Sequence, residues 1–463
     1  MGLALFIVLL WIFTRHCNIA IGLLLGVQVW MIAADGEVPV FDLGASIYPS
    51  DLLAACAMLV AGGRLLRRGV SPRAELLLVL ALMCLIGWSI QRGIGASGLP
   101  AAANDARVYF WHVFSSTLYV TTAPLKAGWA RTVVRLWLAS AAVYAVLSLV
   151  GWMDTGLRSV VDVATVGGTT YDPRPVPARA ALVLAQSAVL LLCSVSMGSA
   201  VPPKDGGPDR HRRRRGVRGK PLLALLCLVL VVLLQHRTVW VIAAVMAVMW
   251  WALRPARAGQ RLAAAAAAVL SLCMVALTFA AGTFGSVGSV LANSFEETQD
   301  TNSTFSWRVL GWQELMDAPR TMTQWLIGSP FGSGYDRWVG GVVISVSPHD
   351  YYLHVLLRLG LAGLLVLLAL YVLVWWRLSR VGTGKLALRL LLVSQLVLFV
   401  SYAPFPEQGV LLGLCLWQVR ADAAAGGPHV GAKPFLAQQR NDVRQVRDGS
   451  PVNTVKSQNQ HTQ

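Results

Sequence analysis

Long apolar runs alternate with short polar connections along most of the chain. A helix that crosses a bilayer needs about 20 mostly apolar residues. On that criterion the pattern predicts spans near 3–13, 17–34, 51–68, 74–91, 106–123, 130–152, 179–197, 220–235, 237–253, 262–281, 351–376, 386–402 and 407–420. The first is short, so the expectation is an all-α, polytopic integral membrane protein with 12 or 13 spans. No fixed-period repeat is visible, which argues against a solenoid.

The pattern breaks between Gly282 and Tyr351, a stretch too long for a simple connection. It is rich in aromatic residues, among them Phe295, Phe305, Trp307, Trp312, Trp325, Phe331 and Trp338. Phe305, Val309, Trp312 and Met316 recur at helical spacing. They predict an amphipathic helix that lies on the lipid surface or caps a cavity. The resulting organisation is an N-terminal bundle of about ten spans (1–282) with a basic cytoplasmic loop (202–220), a large exoplasmic loop (283–350), C-terminal spans (351–421) and a tail (422–463). The tail lacks periodicity and is expected to be disordered and cytoplasmic.

Composition sharpens this. The 463 residues are 56% apolar and 13% charged, where soluble domains run near 45–50% and about 25%. The net charge of +17 invites a nucleic-acid partner, but the basic residues fall in clusters between spans rather than on a soluble face, so no nucleic acid is implied. One alternate set of connections holds Arg15, Arg64 to Arg73, Lys126 to Arg135, Lys204 to Lys220, Arg254 to Arg261 and Arg377 to Arg389. By the positive-inside rule that set is cytoplasmic. Trp250–Trp251 and Trp375–Trp376, just ahead of Arg254 and Arg377, fit an interfacial aromatic belt. The cysteines (Cys17, Cys56, Cys84, Cys193, Cys227, Cys273 and Cys415) sit in or beside apolar runs with no CxxC pair, so neither a disulfide framework nor a zinc site is implied. No basic n-region precedes the first apolar stretch, which argues against a cleaved signal peptide. P-loop, HExxH and GxSxG motifs are missing, and the chain implies no cofactor and no metal.

The chemistry then rests on ten basic residues outside the cytoplasmic set: Arg92, Arg107, Arg158, Arg174, Arg179, Arg237, Arg308, Arg320, Arg337 and Arg358. Arginines on that side or within spans are functional hypotheses by default. Arg179 and Arg237 open the seventh and ninth spans, and His349 precedes the eleventh in Ser347-Pro348-His349-Asp350. That tetrapeptide reads as a helix start with Ser347 as N-cap and an acid at N3. All three lie at exoplasmic helix N-termini, where unpaired N–H groups attract anions. Two guanidinium forks there suit a diphosphate. The same dipole keeps His349 neutral and able to accept a proton. Asp350, His236, His354, Arg358 and Arg308 are supporting candidates, with Arg358 set to pair with Asp350 or to line a cavity.

The stretches Gln235-His-Arg-Thr-Val-Trp240, WRVLGW (307–312), IGSPFGSGYDRW (327–338) and PHDYYLHVLLRLGLAG (348–363) resemble the O-antigen ligase and polymerase superfamily. The resemblance covers mainly 179–370. It rests on an arginine motif at a helix start and on a loop ending in His-Asn-x-x-Leu before a glycine-containing helix; here Asp350 replaces the usual Asn, adding negative charge beside the His. The resemblance implies a GT-C-like, metal-independent, inverting glycosyltransferase. It moves a glycan from an undecaprenyl-diphosphate carrier to an acceptor sugar hydroxyl at the exoplasmic face of a bacterial inner membrane. Arg179 and Arg237 correspond to the family's diphosphate-binding arginines and His349 to its catalytic histidine. Exopolysaccharide or O-antigen polymerisation is slightly favoured over ligation to lipid A-core. A polysaccharide or lipid transporter or flippase is the rival; it requires broken helices and ionisable residues deep in the spans, and Arg358 is the residue that speaks for it.

Overall fold

The computed structural model describes residues 2–253 and 304–424 except 35–39, 43–45, 69–72, 127, 156–164, 167–168, 171–173, 199–209, 340 and 381–384. The apolar runs become helices in chain order: α1 (Gly2–Arg15), α2 (Cys17–Ala33), α3 (Pro49–Arg68), α4 (Ala74–Ser97) and α5 (Leu99–Ala106). A π-helical turn (Arg107–His112) joins α5 to α6 (Val113–Thr121). Then come α7 (Trp129–Thr155), α8 (Ala178–Gly198), α9 (Arg210–Leu233) and α10 (Arg237–Leu253). After 254–303 follow α11 (Thr304–Asp317), α12 (Met322–Ile327), α13 (Tyr351–Arg380), α14 (Leu386–Leu398) and α15 (Pro406–Ala424). Three short antiparallel ribbons complete the described residues: β1–β2 (Phe41–Asp42, Ser46–Ile47), β3–β4 (Thr165–Val166, Thr169–Thr170) and β5–β6 (Arg337–Val339, Val342–Ile344).

The chain is mostly helical, and α3, α4, α7 and α13 are each long and apolar enough to cross a membrane. Shorter apolar helices accompany them, including α1, α2, α10 and α14. It is a multi-pass membrane protein of the all-α class. Rows of leucine and valine face outward, as on α7 (Val143, Val146, Leu149, Val150) and α9 (Leu222, Leu225, Leu226, Val229). Exposed apolar rows of this kind suit lipid rather than water. Every predicted span has a helix except 262–281, which lies outside the described residues, as does the tail from 425.

Some boundaries differ from the pattern. Helix α4 runs to Ser97 rather than 91, because Arg92 does not end it: its guanidinium donates to the carbonyls of Ile327 and Gly328 (3.4 and 3.0 Å). Helix α9 begins at Arg210, inside the basic stretch read as a loop, and carries Pro221 within it; arginine and lysine are good helix formers. The predicted span 106–123 is not one α-helix but the π-turn followed by α6.

A buried polar lattice ties the helices at their centre. Gln186 of α8 donates to Ser394 of α14 (2.8 Å) and Gln408 of α15 (2.9 Å). Gln395 of α14 donates to the Gln408 carbonyl (2.9 Å) and accepts from Tyr371 of α13 (2.7 Å). Side-chain bonds between helices act as glue where lipid offers no competing water, each adding about 0.6 kcal/mol.

Candidate functional site

The site grows from the start of α13. Asp350 Oδ1 accepts from the Leu353 amide at 2.9 Å, so Asp350, and not Ser347, is the N-cap. A carboxylate at that position satisfies one of the free amides of the first turn. Burial raises the Asp350 pKa, and its bonds to the Leu353 and Tyr352 amides pull the other way. Ten residues on, Gly360 breaks the helix with φ +68°. A Cβ there would sit 2.3 Å from Leu326, and one on Gly328 (φ +75°) would sit 2.3 Å from the Arg358 backbone. The two glycines let α12 and its following loop press against the kink. The Ser329 amide donates to the Leu357 carbonyl at 2.7 Å beside it.

Below this contact lies a closed ionic network. Arg358 Nε reaches Asp105 Oδ2 (2.6 Å) and the Tyr335 hydroxyl (2.8 Å). Its other nitrogens donate to Ser333 Oγ (2.6 Å) and the carbonyls of Gly334 (2.8 Å) and Pro330 (3.4 Å). The Tyr335 hydroxyl donates to Asp105 Oδ1 at 2.6 Å and lies against His354 Nε2. The Gly332 amide closes the ring onto Asp105 at 2.8 Å. Arg358 and His354 are almost wholly buried. Burial also raises the Tyr335 pKa, so it stays a hydroxyl donor. The network staples the 328–335 loop to α5 and α13.

Beside it lies an open, cationic cluster. The His349 ring stands 6.1 Å from the Tyr402 ring, and the Arg308 guanidinium lies 5.2 Å over the same ring. Arg337 donates to the carbonyls of Tyr335 (3.0 Å) and Val346 (2.7 Å), holding the strand that leads to His349. The loop around His349 desolvates its inner side, and the charges of Arg308 and Arg337 add to that; together they lower its pKa to about 4. His349 is therefore neutral at ordinary pH. Its outer side is exposed.

Three residues beyond Tyr402, Phe405 lies 4.6 Å beneath Arg179 at the start of α8. Arg179 also donates to Gln28 at 3.2 Å, and its charge acts on the buried Glu407 and on Tyr109. The Ser347 side chain also acts on the Tyr109 hydroxyl. Thus the Arg179 and His349 segments meet through the 402–405 loop and Tyr109. Arg237 opens α10 after a left-handed turn at Gln235 (φ +56°). The preceding His236 contacts Arg174 (3.3 Å) and the Val176 carbonyl (2.9 Å), just ahead of Arg179.

Further expectations are corrected. Arg358 does not pair with Asp350; it is committed to Asp105, whose carboxylate reaches it directly while Asp350 caps α13. Nor is Asp350 among the groups that set the His349 pKa, which is governed by burial and the two arginines. The helix predicted from Phe305, Val309, Trp312 and Met316 exists as α11, but its inner stripe is Gly311, Trp312 and Leu315, with Met316 exposed. Periodicity counted large apolar side chains and passed over Gly311. A Cβ there would lie 2.8 Å from Arg337 Nε, so the glycine is what lets the ribbon approach. Tyr109, Tyr402, Phe405 and Glu407 were not foreseen; Pro404 and Pro406 around Phe405 were the available signal of a built turn. Among the described residues no three His, Cys, Asp or Glu side chains cluster as metal ligands.

A search of curated proteins gave no match. Residues 222–368, which carry Arg237, α11, the Gly-rich loop, His349 and the kink at Gly360, match the family model described as O-antigen ligase. Over that region the chain is similar to the O-antigen ligase family, which supports reading it as a membrane enzyme of the ligase and polymerase type.

Proposed function

We propose that this protein transfers a glycan en bloc from an undecaprenyl-diphosphate carrier to an acceptor sugar hydroxyl, at the exoplasmic face of a bacterial inner membrane. The observation that carries the reading is the company kept by His349: a neutral imidazole with an exposed side, backed by Arg308 and linked through the 402–405 loop to Arg179. Guanidinium groups with donors to spare beside a proton acceptor suit an anionic leaving group and a hydroxyl nucleophile.

In this mechanism the acceptor oxygen attacks the anomeric carbon of the donor glycan from the face opposite the diphosphate. The bond from that carbon to the diphosphate oxygen breaks, with inversion. The acceptor proton passes to His349. The diphosphate leaves with the bonding pair and is held by Arg179 and Arg237 at the starts of α8 and α10, with Arg308 beside it. Arginine charge meets the leaving group, so the proposal has no metal step and no cofactor. Asp350 fixes the start of α13 and thereby the His349 backbone. His236 fixes the turn before Arg237.

Polymerisation of repeat units is preferred to ligation onto lipid A-core, because no lipid A-core site is legible in the chain. The deciding experiment incubates purified protein with an undecaprenyl-diphosphate glycan, with and without lipid A-core, and resolves products by length. A ladder identifies a polymerase and a single transfer identifies a ligase. No product in either case overturns the transferase reading and restores the transporter.

A further inference from the structure

Tyr109 has no part in the mechanism above, yet the fold goes to some length to hold it. It lies in the π-helical turn Arg107–His112, a wider turn that is rare and recurs at functional sites. Asp51 of α3 pins both ends of the turn. It bonds His112 Nε2 at 2.7 Å and Arg107 Nε at 3.3 Å. From the other side the Tyr351 hydroxyl donates to the Tyr109 carbonyl at 3.1 Å. The Tyr109 ring is gripped edge-on by Phe405 (5.8 Å) and by His354 of the closed network (5.6 Å). Backbone and ring are therefore fixed from α3, α13 and the 402–405 loop.

The hydroxyl is aimed where the chemistry is. Ser347, two residues before His349, and the Arg179 charge both act on it. Phe405, which carries Arg179 on one face, meets the Tyr109 ring as well. A phenol can donate one hydrogen bond while accepting others, so its proton is available to donate outward. A preorganised neutral donor beside an arginine, at the edge of a low-dielectric bundle, stabilises developing negative charge without adding to the repulsion among cations.

We propose that Tyr109 is a further binding residue for the donor, its hydroxyl donating to an oxygen of the departing diphosphate beside Arg179. The inference rests on the transferase reading above. The test is binding of undecaprenyl diphosphate, without glycan, to the purified protein in detergent, followed by intrinsic tryptophan fluorescence. Tyr109→Phe keeps the ring and its contacts with Phe405 and His354, so its thermal unfolding should match the wild type. Its affinity should fall about tenfold, the worth of one hydrogen bond to a charged group. An undiminished affinity in Tyr109→Phe, with the wild type binding and Arg179→Gln weakened, overturns the Tyr109 assignment and leaves the transferase reading intact. Absence of binding by the wild type overturns both.

Discussion

Two groups of arginine differ in how far their charge is spent. Arg358 is buried, and its guanidinium is consumed by Asp105, Tyr335, Ser333, Pro330 and Gly334. Arg179, among the described residues, donates one hydrogen bond, to Gln28, and rests on a ring; Arg308 rests on a ring alone. A guanidinium carries five N–H donors. Where the protein supplies all the partners, the residue holds the fold. Where it supplies few, donors remain for something else. That contrast separates an architectural charge from one available to a ligand, and position along the chain alone does not.

The contrast breaks most sharply at Arg358. Arg358→Leu strands Asp105 without its cation, and loss of one partner of a buried pair costs about 3–5 kcal/mol. Thermal unfolding in detergent should fall accordingly. Asp105→Leu in the same chain should recover part of the loss, since removing both charges is far cheaper than removing one. A single variant that unfolds like the wild type would mean the network is not closed.

The open group should respond the other way. Arg179→Gln and Arg308→Gln should each slow transfer by about 10²–10³-fold, the range for losing one preorganised donor to a leaving group. Their unfolding should be unchanged. If either behaves like Arg358→Leu, its charge is structural after all.

A third variant tests the joint between the groups. Gly360→Ala puts a Cβ against the Leu326 backbone and forces a residue with φ +68° to carry a side chain. The strain alone is worth about 1–3 kcal/mol, and both unfolding temperature and transfer should drop because α12 and the 328–335 loop are seated on that kink. An unchanged protein would show that the loop does not depend on it.

The helices were legible because bilayer length and hydropathy dictate them, and Arg179, Arg237 and His349 were legible as helix starts for the same reason; as a donor site they are the proposal above. What stayed hidden depends on residues far apart in sequence. Asp105 meets Arg358 across most of the chain, and nothing local in Leu-Pro-Ala-Ala-Ala-Asn-Asp announces a buried partner. The π-turn has no compositional mark, so Tyr109 looked like one more aromatic in a span. The inner face of α11 was misread because a glycine that permits contact is invisible to a count of apolar side chains.

The smallest effect is the most discriminating one for His349. Its pKa of about 4 comes first from burial, then from Arg308 and Arg337. The reaction needs the imidazole unprotonated, so activity should be full above that value and fall as the pH drops through it. The acid limb of kcat/KM reports the free enzyme and should lie near 4, while that of kcat reports the donor complex. A bound diphosphate offsets the two arginine charges and so favours the imidazolium, placing the kcat limb higher. Arg337→Gln removes one repulsive charge without removing Arg179 or Arg308, so its kcat/KM limb should move up toward the ordinary histidine value of 6.5. Coincident limbs that ignore Arg337→Gln would mean that His349 does not take the proton, and the cluster would then be a binding site whose base lies elsewhere.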